Sequence, residues 1–407
     1  MKDGAQATIR WILPGTPAYR RVGLGLFLAG FATFSLLYCV QPLLPVFADH
    51  FHVGPTESSL ALSLSTALLA VAILCAAVAS EGAGRRGLML ASMTTASLCN
   101  IACAFVPGWS GLLALRAAEG FLLGGVPAVA MAYLAEEIDP RGLGLAMGLL
   151  VGGNAFGGMT GRVLTGFITE SLSWQAALLT LGILGLLCAA GFIWLLPPSH
   201  NFRPRPGFDP AFHWRAWRGY WRDKALLPLF SIPFFAMGSF VALYNYAGFR
   251  LSQPPFDLNQ RQIGWIFTVY LFGIAASFVG GGMADRLGRR LMLPCSIILT
   301  MAGVLITLIP GLVAMILGII VTTTGFFATQ SVASGWVGRL AKGTKGHASS
   351  LYLLSYYIGS SLIGSSGGWF WSKGGWPAVA LFTLLLYLLA LAAALRVNAV
   401  VAREGRG

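Results

Sequence analysis

Long apolar runs, separated by short polar segments, are the feature that most constrains how this chain can fold. An apolar stretch of about 20 residues crosses a bilayer as an α-helix, and a helix satisfies its own backbone hydrogen bonds in lipid. Hydrophobic residues make up 56% of the chain and charged residues only 10%, well below the roughly one quarter carried by soluble domains. The sequence therefore predicts an all-α polytopic membrane protein with twelve transmembrane helices. Their predicted positions are 22–46, 56–79, 87–106, 110–134, 142–168, 174–196, 226–250, 261–283, 291–309, 311–337, 346–371 and 376–395.

The Lys and Arg residues lie almost entirely on one side of these predicted helices. That side includes both termini and the linker after the sixth helix, whereas the opposite side holds only Arg250, Arg261 and Lys373. Positive residues are retained on the cytoplasmic side, so both termini are predicted to be cytoplasmic. The net charge of +13 is part of this topology signal, because the charges punctuate apolar runs and form no patch for nucleic acid. The first run is too long for a cleaved signal peptide, and we expect it to be retained.

Two similar loops lie 204 positions apart, after the second and the eighth predicted helix. The later loop spans residues 281–290 and the earlier one residues 80–86. Ala284, Asp285, Gly288, Arg289 and Arg290 correspond to Ser80, Glu81, Gly84, Arg85 and Arg86, whereas Gly82 replaces Arg286. Two copies at half-chain spacing indicate an internal duplication. We therefore predict a six-helix bundle at 1–199, a cytoplasmic linker at 200–224 and a second six-helix bundle at 225–407.

The later loop resembles the signature loop of the major facilitator superfamily, whose pattern is G-x-x-[AS]-D-R-x-G-R-R. Members of that superfamily are secondary transporters built from two six-helix halves, and the resemblance implies this fold and this activity. In the family, the Asp tethers helix eight to neighbouring helix ends and arginines and favours the outward-open state. The resemblance thus implies a conformational latch formed by Asp285, Arg286, Arg289, Arg290, Glu81 and Arg85.

Predicted helix four carries two ionisable residues, Arg116 and Glu119, at membrane depth. Residues three apart share a helix face, and ionisable residues at this depth nearly always face a cavity or one another. The pattern L-x-x-x-R-x-x-[QE]-G resembles the second motif of proton-coupled superfamily members, which implies that Glu119 and Arg116 couple protons to transport. Burial favours a neutral carboxyl and a neighbouring arginine favours a carboxylate, so Glu119 can change protonation as its surroundings close. The alternative is a static ion pair that braces helix four.

Residues 152–162 of predicted helix five, GGNAFGGMTGR, resemble the antiporter motif of the drug:proton antiporter group. Gly157-Gly158 stands where that motif has Gly-Pro, so the proline kink is absent. Together with residues 36–45 of helix one, LLYCVQPLLP, this run resembles one inner-membrane branch of the family, which implies a bacterial inner (plasma) membrane location. The glycines indicate close helix packing, either at a sliding contact between the halves or in a static one. We expect Arg162 near the outer mouth or with its side chain at headgroup level.

Polar and aromatic residues on several predicted helices are candidates for lining a substrate cavity. In the superfamily, helices one, four, seven and ten line that cavity. Amides at mid-membrane depth favour a cavity position, whereas a single aromatic residue is more typical of packing or of the interfacial belt. We expect a cavity touched by Gln41, Arg116, Asn245 and Gln330. The full candidate set is Tyr38, Gln41, Arg116, Asn154, Tyr244, Asn245, Tyr246, Tyr270, Gln330 and Tyr356.

The linker contains an amphipathic segment after Asp209-Pro210. Trp214, Trp217 and Trp221 form one helical stripe, and Arg215, Arg218 and Arg222 form the neighbouring stripe. This pattern is typical of an interfacial helix with indoles among the headgroups and arginines toward anionic lipid. A docking site for a regulatory partner is the alternative.

These patterns predict a secondary active transporter that works by alternating access, with proton-coupled efflux of a small organic compound or drug as the leading hypothesis. A proton-independent facilitator or an uptake symporter of a small organic solute is the alternative. A membrane-embedded enzyme is disfavoured because no cluster of His, Asp, Glu or Cys lies at one membrane face, and the duplicated loops argue against a channel. The membrane charges Arg116, Arg162 and Glu119 are net positive, which favours a neutral, zwitterionic or anionic substrate.

The expected energy source is the proton gradient. The chain has no G-x-x-x-x-G-K-[ST] loop that would bind ATP phosphates. Its six cysteines lack zinc-ligand spacing with histidines. We therefore expect no cofactor and no metal. We also expect the protein to be a monomer.

Overall fold

The computed structural model describes residues 11–202, 217–341 and 345–404, which are folded almost entirely into helices. The first half contains α1 (Pro17–Tyr38, continued by Leu44–Phe51), α2 (Pro55–Ala83), α3 (Arg85–Cys103), α4 (Trp109–Leu123 and Pro127–Glu137), α5 (Leu143–Ser171) and α6 (Trp174–Leu195). The second half contains α7 (Leu226–Leu251), α8 (Gln260–Ile266 and Tyr270–Leu287), α9 (Arg289–Ile306) and α10 (Leu312–Leu340). The continuous segment Lys345–Arg403 bends at Gly374 and Gly375 and so forms α11 and α12.

The predicted count of twelve membrane helices agrees with this architecture. Within the described ranges, nine helices are long and apolar enough to cross a membrane by length and composition alone. One of them, His347–Arg403, contains both α11 and α12. The remaining two are α3, which carries Asn100 and several hydroxyl side chains, and α4, which is interrupted after Leu123. The all-α membrane fold in two six-helix halves is confirmed.

Three helices are interrupted at points where the sequence analysis predicted continuous runs, and those predictions were wrong there. α1 stops at Tyr38 and resumes at Leu44 because Pro42 lacks an N–H for the preceding turn and its ring clashes with that turn. α4 resumes at Pro127, since a missing N–H is harmless at the first position of a helix. α8 passes through a 3-10 turn at Phe267–Val269, for which we have no sequence explanation.

The two duplicated loops share an unusual backbone conformation. Gly84 lies between α2 and α3, and Gly288 lies between α8 and α9, with φ values of +83° and +88°. Glycine adopts such positive φ values without the steric penalty that a Cβ brings. A single glycine therefore connects the two flanking helices in each loop.

Three glycines of α5, Gly153, Gly157 and Gly161, lie against the backbone of α1 within the same half. A Cβ at Gly153 or Gly157 would collide with the backbone of Phe27 or Phe31. In the second half, Gly359 of α11 approaches the backbone of α7 in the same manner. Small residues let membrane helices approach closely, so these glycines form packing contacts inside each half. The sliding contact considered in the sequence analysis would lie between the halves instead.

The predicted interfacial stripe of the linker lies partly outside the described residues, because 203–216 are not among them. Trp217 is described and packs against the start of α11. Its indole N–H donates to Ser350 Oγ over 3.3 Å, and its ring edge contacts His347. Trp221, in contrast, is 56% exposed. Trp217 therefore anchors the end of the linker to the start of α11, while the domain boundaries and the anionic-lipid contact stay predictions.

Candidate functional site

Arg116 and Glu119 form a completely buried ion pair on α4, on the shared face that their spacing predicts. Arg116 Nη1 donates to Glu119 Oε2 over 2.5 Å. Arg116 also donates to three backbone carbonyls: Nη1 to Leu36 at 3.1 Å, Nη2 to Leu37 at 2.7 Å and Nε to Ala61 at 3.1 Å. The last carbonyls of a helix have no partner within that helix. Arg116 therefore caps the end of α1 at its break.

The two carboxylate oxygens of Glu119 differ in their contacts. Oε2 accepts the hydrogen bond from Arg116, whereas Oε1 is buried and accepts none from any part of the chain that the structure describes. An unpaired buried lone pair is costly unless the group is neutralised or a partner arrives. Glu119 is thus half satisfied in the conformation seen here.

A second charged residue, Arg162 of α5, lies between the two halves with only 2% of its surface exposed. Its Nε donates to Gln41 Oε1 over 2.6 Å, and its Nη1 donates to the Gly158 carbonyl over 2.6 Å. The guanidinium carbon lies 4.3 Å from the ring centroid of Tyr38 and 4.8 Å from that of Tyr270. The expectation that the Arg162 side chain extends to headgroup level is wrong, because neutral acceptors and aromatic rings enclose it. A position near the outer mouth stays a prediction.

Gln41 and Asn245 join the two halves directly. Gln41 lies in the turn that interrupts α1, and its Nε2 donates to Asn245 Oδ1 of α7 over 2.8 Å. The two residues are 204 positions apart, the same separation as the duplicated loops, so they occupy equivalent positions in the two halves. Equivalent residues that contact each other must lie close to the pseudo-twofold axis that relates the halves.

The duplication extends to the partners of these two amides, with one important difference. Gln41 accepts from Arg162, and Asn245 donates to the Gly364 carbonyl over 3.3 Å. Arg162 and Gly364 are 202 positions apart and lie on the equivalent helices α5 and α11. We call the network formed by Arg162, Gln41 and Asn245 the axial network. It carries a positive charge only on the side of the first half.

Further contacts between the halves lie at the end of the bundle opposite the chain termini, which we call the outer end. Gln260 N donates to Glu170 Oε2 over 3.0 Å, and Arg261 Nη2 donates to Ser171 Oγ over 3.1 Å. Two further contacts between the halves are equivalent under the duplication. Gly166 of α5 approaches Gln260 and Gly264 of α8, and Gly368 of α11 approaches Thr56 of α2. In this conformation the two halves thus meet closely at the outer end.

The structure does not bring the remaining predicted cavity residues into the axial network. Tyr244 OH is 2.6 Å from Thr323 Oγ1, Tyr246 OH donates to the Ser365 carbonyl at 3.1 Å, and Gln330 accepts from Tyr352. Asn154 packs against Gly30, Tyr356 against Tyr357, and Arg116 remains inside the first half. Of the four residues expected to touch one cavity, only Gln41 and Asn245 are in contact. Arg162 was missing from that prediction, since its partners lie on other helices.

The loop after α8 forms exposed ion pairs. Asp285 Oδ1 accepts from Arg289 Nη2 and Arg339 Nη2, each over 3.0 Å. The side chains of Asp285 and Arg339 are 57% and 65% exposed, and Arg286 and Arg290 are exposed as well. These pairs connect α8, α9 and α10 within the second half.

In the equivalent loop of the first half the two charges are exchanged: the loop supplies the arginine and the helix end supplies the carboxylate. Arg85 Nη2 and Nε donate to the two carboxylate oxygens of Glu136 over 2.7 and 3.2 Å, and Arg85 also donates to Ser80. Glu136 lies in the last turn of α4 and Arg339 in the last turn of α10, so the fourth helix of each half supplies the partner. The side chain of Glu81 lies outside the described part of the chain. Glu136 was missed because it is distant from the loop in sequence.

Two six-helix halves related by a duplication, with a charged polar network between them, define the class of secondary transporters built from repeats. No group of three metal-ligating side chains occurs within the residues described. The sequence profile of the Major Facilitator Superfamily matches residues 26–257 and 251–406, and the chain belongs to that family. It is therefore a membrane transporter and not an enzyme.

Relatives support this membership over nearly the full length. The chain is 45% identical over 381 residues to the uncharacterized MFS-type transporter YybF of Bacillus subtilis (strain 168), covering 94% of each chain. It is 44% identical over 389 residues to the inner membrane transport protein YnfM of Escherichia coli (strain K12), covering 96% of this chain and 93% of YnfM. Its fold is similar to that of a bacterial homologue of the human lysosomal transporter Spinster in an inward-facing, unoccupied conformation. That similarity has a TM-score of 0.79 at 14% identity, covering 96% of this chain and 99% of the homologue.

Proposed function

We propose that this transporter exports a small organic compound in exchange for protons across the bacterial inner membrane, with both termini cytoplasmic. Proton coupling rests on one observation: Glu119 is completely buried, and its Oε1 accepts no hydrogen bond from the described residues. A proton on Oε1 would therefore displace no existing contact. Intramembrane carboxyl groups commonly serve as proton carriers. Efflux as the direction rests on the resemblance of residues 152–162 to the antiporter motif.

The break in α1 connects Glu119 to the axial network. Glu119 holds Arg116, which binds the carbonyls of Leu36 and Leu37 at the last turn before the break. Gln41 lies in the short turn that follows. Protonation of Glu119 would weaken its attraction for Arg116 and loosen this turn. A linkage of this kind is reciprocal, so movement of Gln41 would in turn change the proton affinity of Glu119.

A proton-independent facilitator is the second candidate, and one observation favours it. Every side-chain nitrogen of Arg116 already donates to the protein, three of these bonds going to backbone carbonyls. An arginine so fully bound suits a static brace for α1 and α4. In that case Glu119 serves only to neutralise Arg116.

Replacement of Glu119 by Gln separates the two candidates, because glutamine approximates the protonated carboxyl. The variant and wild type are compared in proteoliposomes with a labelled compound selected by screening a deletion strain. If Glu119 carries the proton, E119Q loses transport driven by a pH gradient but retains counterflow of the compound. The matched control is E57Q, which changes a carboxylate at the exposed start of α2 and should behave as wild type. If E119Q transports with the pH dependence of wild type, Glu119 is only a structural brace and does not carry the coupled proton.

A further inference from the structure

Arg162 carries a buried positive charge, and among the described residues its hydrogen-bond acceptors are neutral. The side-chain oxygen of Gln41 and the carbonyl of Gly158 accept its hydrogen bonds, each over 2.6 Å. Arg116, in contrast, has the Glu119 carboxylate at 2.5 Å. Burying a charge is costly unless an opposite charge accompanies it. Ionisable residues at membrane depth that lack such a partner mark substrate or ion pathways.

The surroundings of Arg162 combine both halves of the protein. Its guanidinium lies over the ring of Tyr38 from the first half, at 4.3 Å. It also lies over the rings of Tyr270 and Phe267 from the second half, at 4.8 and 5.3 Å. A ligand bound to Arg162 would consequently touch both halves. Such a position is required of any ligand that responds to their relative movement.

The geometry around Arg162 suits one kind of ligand group. A guanidinium presents a planar fork of N–H donors that matches a carboxylate with two parallel hydrogen bonds. The amides of Gln41 and Asn245 can donate to the same group once the bond between them opens. The three aromatic rings supply an apolar wall for the remainder of an organic molecule.

We propose that Arg162 binds the carboxylate of the transported compound, so that the substrate is a small organic monoanion with an aromatic or apolar body. This inference rests on the transport function proposed above. In the conformation seen here, the Gln41 oxygen occupies an acceptor position that the substrate carboxylate would take. Arg116 and Glu119 neutralise each other, so a single carboxylate balances the charge of Arg162. A cationic compound would be repelled at this position.

Matched acids and amides test the proposal, because each pair differs in charge at nearly constant shape. The probes are benzoate and benzamide, phenylacetate and phenylacetamide, and hexanoate and hexanamide, with thermal unfolding of the purified full chain as the readout. We expect at least one acid, but not its amide, to raise the unfolding temperature of wild type. R162Q should weaken binding of that acid about tenfold or more. R162K should have a smaller effect, because it retains the charge and loses the fork.

The matched control is R250Q, whose arginine packs on Phe256 at the outer end, 4.5 Å from its ring centroid, and should bind the acid as wild type does. The proposal is overturned if no acid stabilises wild type, if the amide binds equally well, or if R162Q retains wild-type affinity. Should R162Q fail to fold, R162K and the acid–amide difference in wild type decide the matter. Counterflow in proteoliposomes is measured separately. If counterflow is intact but does not distinguish acids from amides, only the proposal of an anionic substrate is wrong. If no counterflow occurs at all, the proposed transport function is wrong.

Discussion

Arg116 is a structural residue at the same time as it is a candidate for coupling. Its bonds to the Leu36 and Leu37 carbonyls hold α1 at the break, its bond to the Ala61 carbonyl reaches α2, and its ion pair neutralises Glu119. A buried pair contributes little net stability compared with apolar residues of similar shape, yet removing one partner leaves the other charge unpaired. The consequences of single and double substitutions should therefore differ.

Replacement of Arg116 by Gln should destabilise the protein by about 3–5 kcal/mol, because Glu119 then remains buried without its partner. Denaturant unfolding of the purified chain measures this change. The double variant R116Q/E119Q should recover part of the loss, since it leaves no unpaired carboxylate. R250Q serves as the control for removing an arginine. If R116Q unfolds at the same denaturant concentration as R250Q, the capping role assigned to Arg116 is wrong.

Sequence reasoning recognised Gln41 and Asn245 as cavity candidates but not as partners. Their separation of 204 positions equals that of the duplicated loops, so the repeat itself contained the signal for their contact. Arg162 offered no comparable signal. Its role depends on Tyr270 and Phe267 of the other half, and contacts between distant helices cannot be inferred from local spacing.

At the scale of elements, the two loops show how a duplicated structure diverges while keeping its geometry. Each loop turns at a glycine with positive φ, and each is bound by the end of the fourth helix of its half. The first half uses a loop arginine with Glu136, and the second uses a loop aspartate with Arg339. The resemblance of the loop to the family signature implied the latch residues. It did not predict the helix-end partners, because these lie about fifty residues away.

Replacement of Asp285 by Asn should change transport more than stability. Its ion pairs with Arg289 and Arg339 are largely exposed, and exposed pairs contribute about 0–1 kcal/mol. We expect unfolding close to that of wild type but slower transport in reconstituted vesicles, because the loop tethers α8 to α9 and α10. The exchanged variant D285R/R339D should recover part of the rate. Wild-type transport in D285N would remove the latch role from this loop.

Over the whole molecule, hydropathy and charge predicted the twelve helices closely, because bilayer thickness fixes helix length independently of packing. The interruptions at residues 39–43 and 124–126 were missed even though Pro42 and Pro127 are visible in the sequence. Neighbouring helices can tolerate a proline within a membrane span, as Pro233 inside α7 demonstrates. Whether a proline breaks a helix therefore depends on its tertiary surroundings, such as the Arg116 cap on α1.

The central claim is that the two halves move against each other around the axial network, so that the ends of the bundle open in turn. Distances between paired spin labels test this directly in a variant whose six native cysteines are replaced. One pair at Leu172 and Gln253 reports on the outer end, and another at Arg141 and Arg403 reports on the end that carries the termini; all four positions are exposed. Across acidic and alkaline pH, and with the stabilising acid added, we expect the two distances to change in opposite directions. Distances that stay constant at both ends, or that increase together, would contradict alternating access.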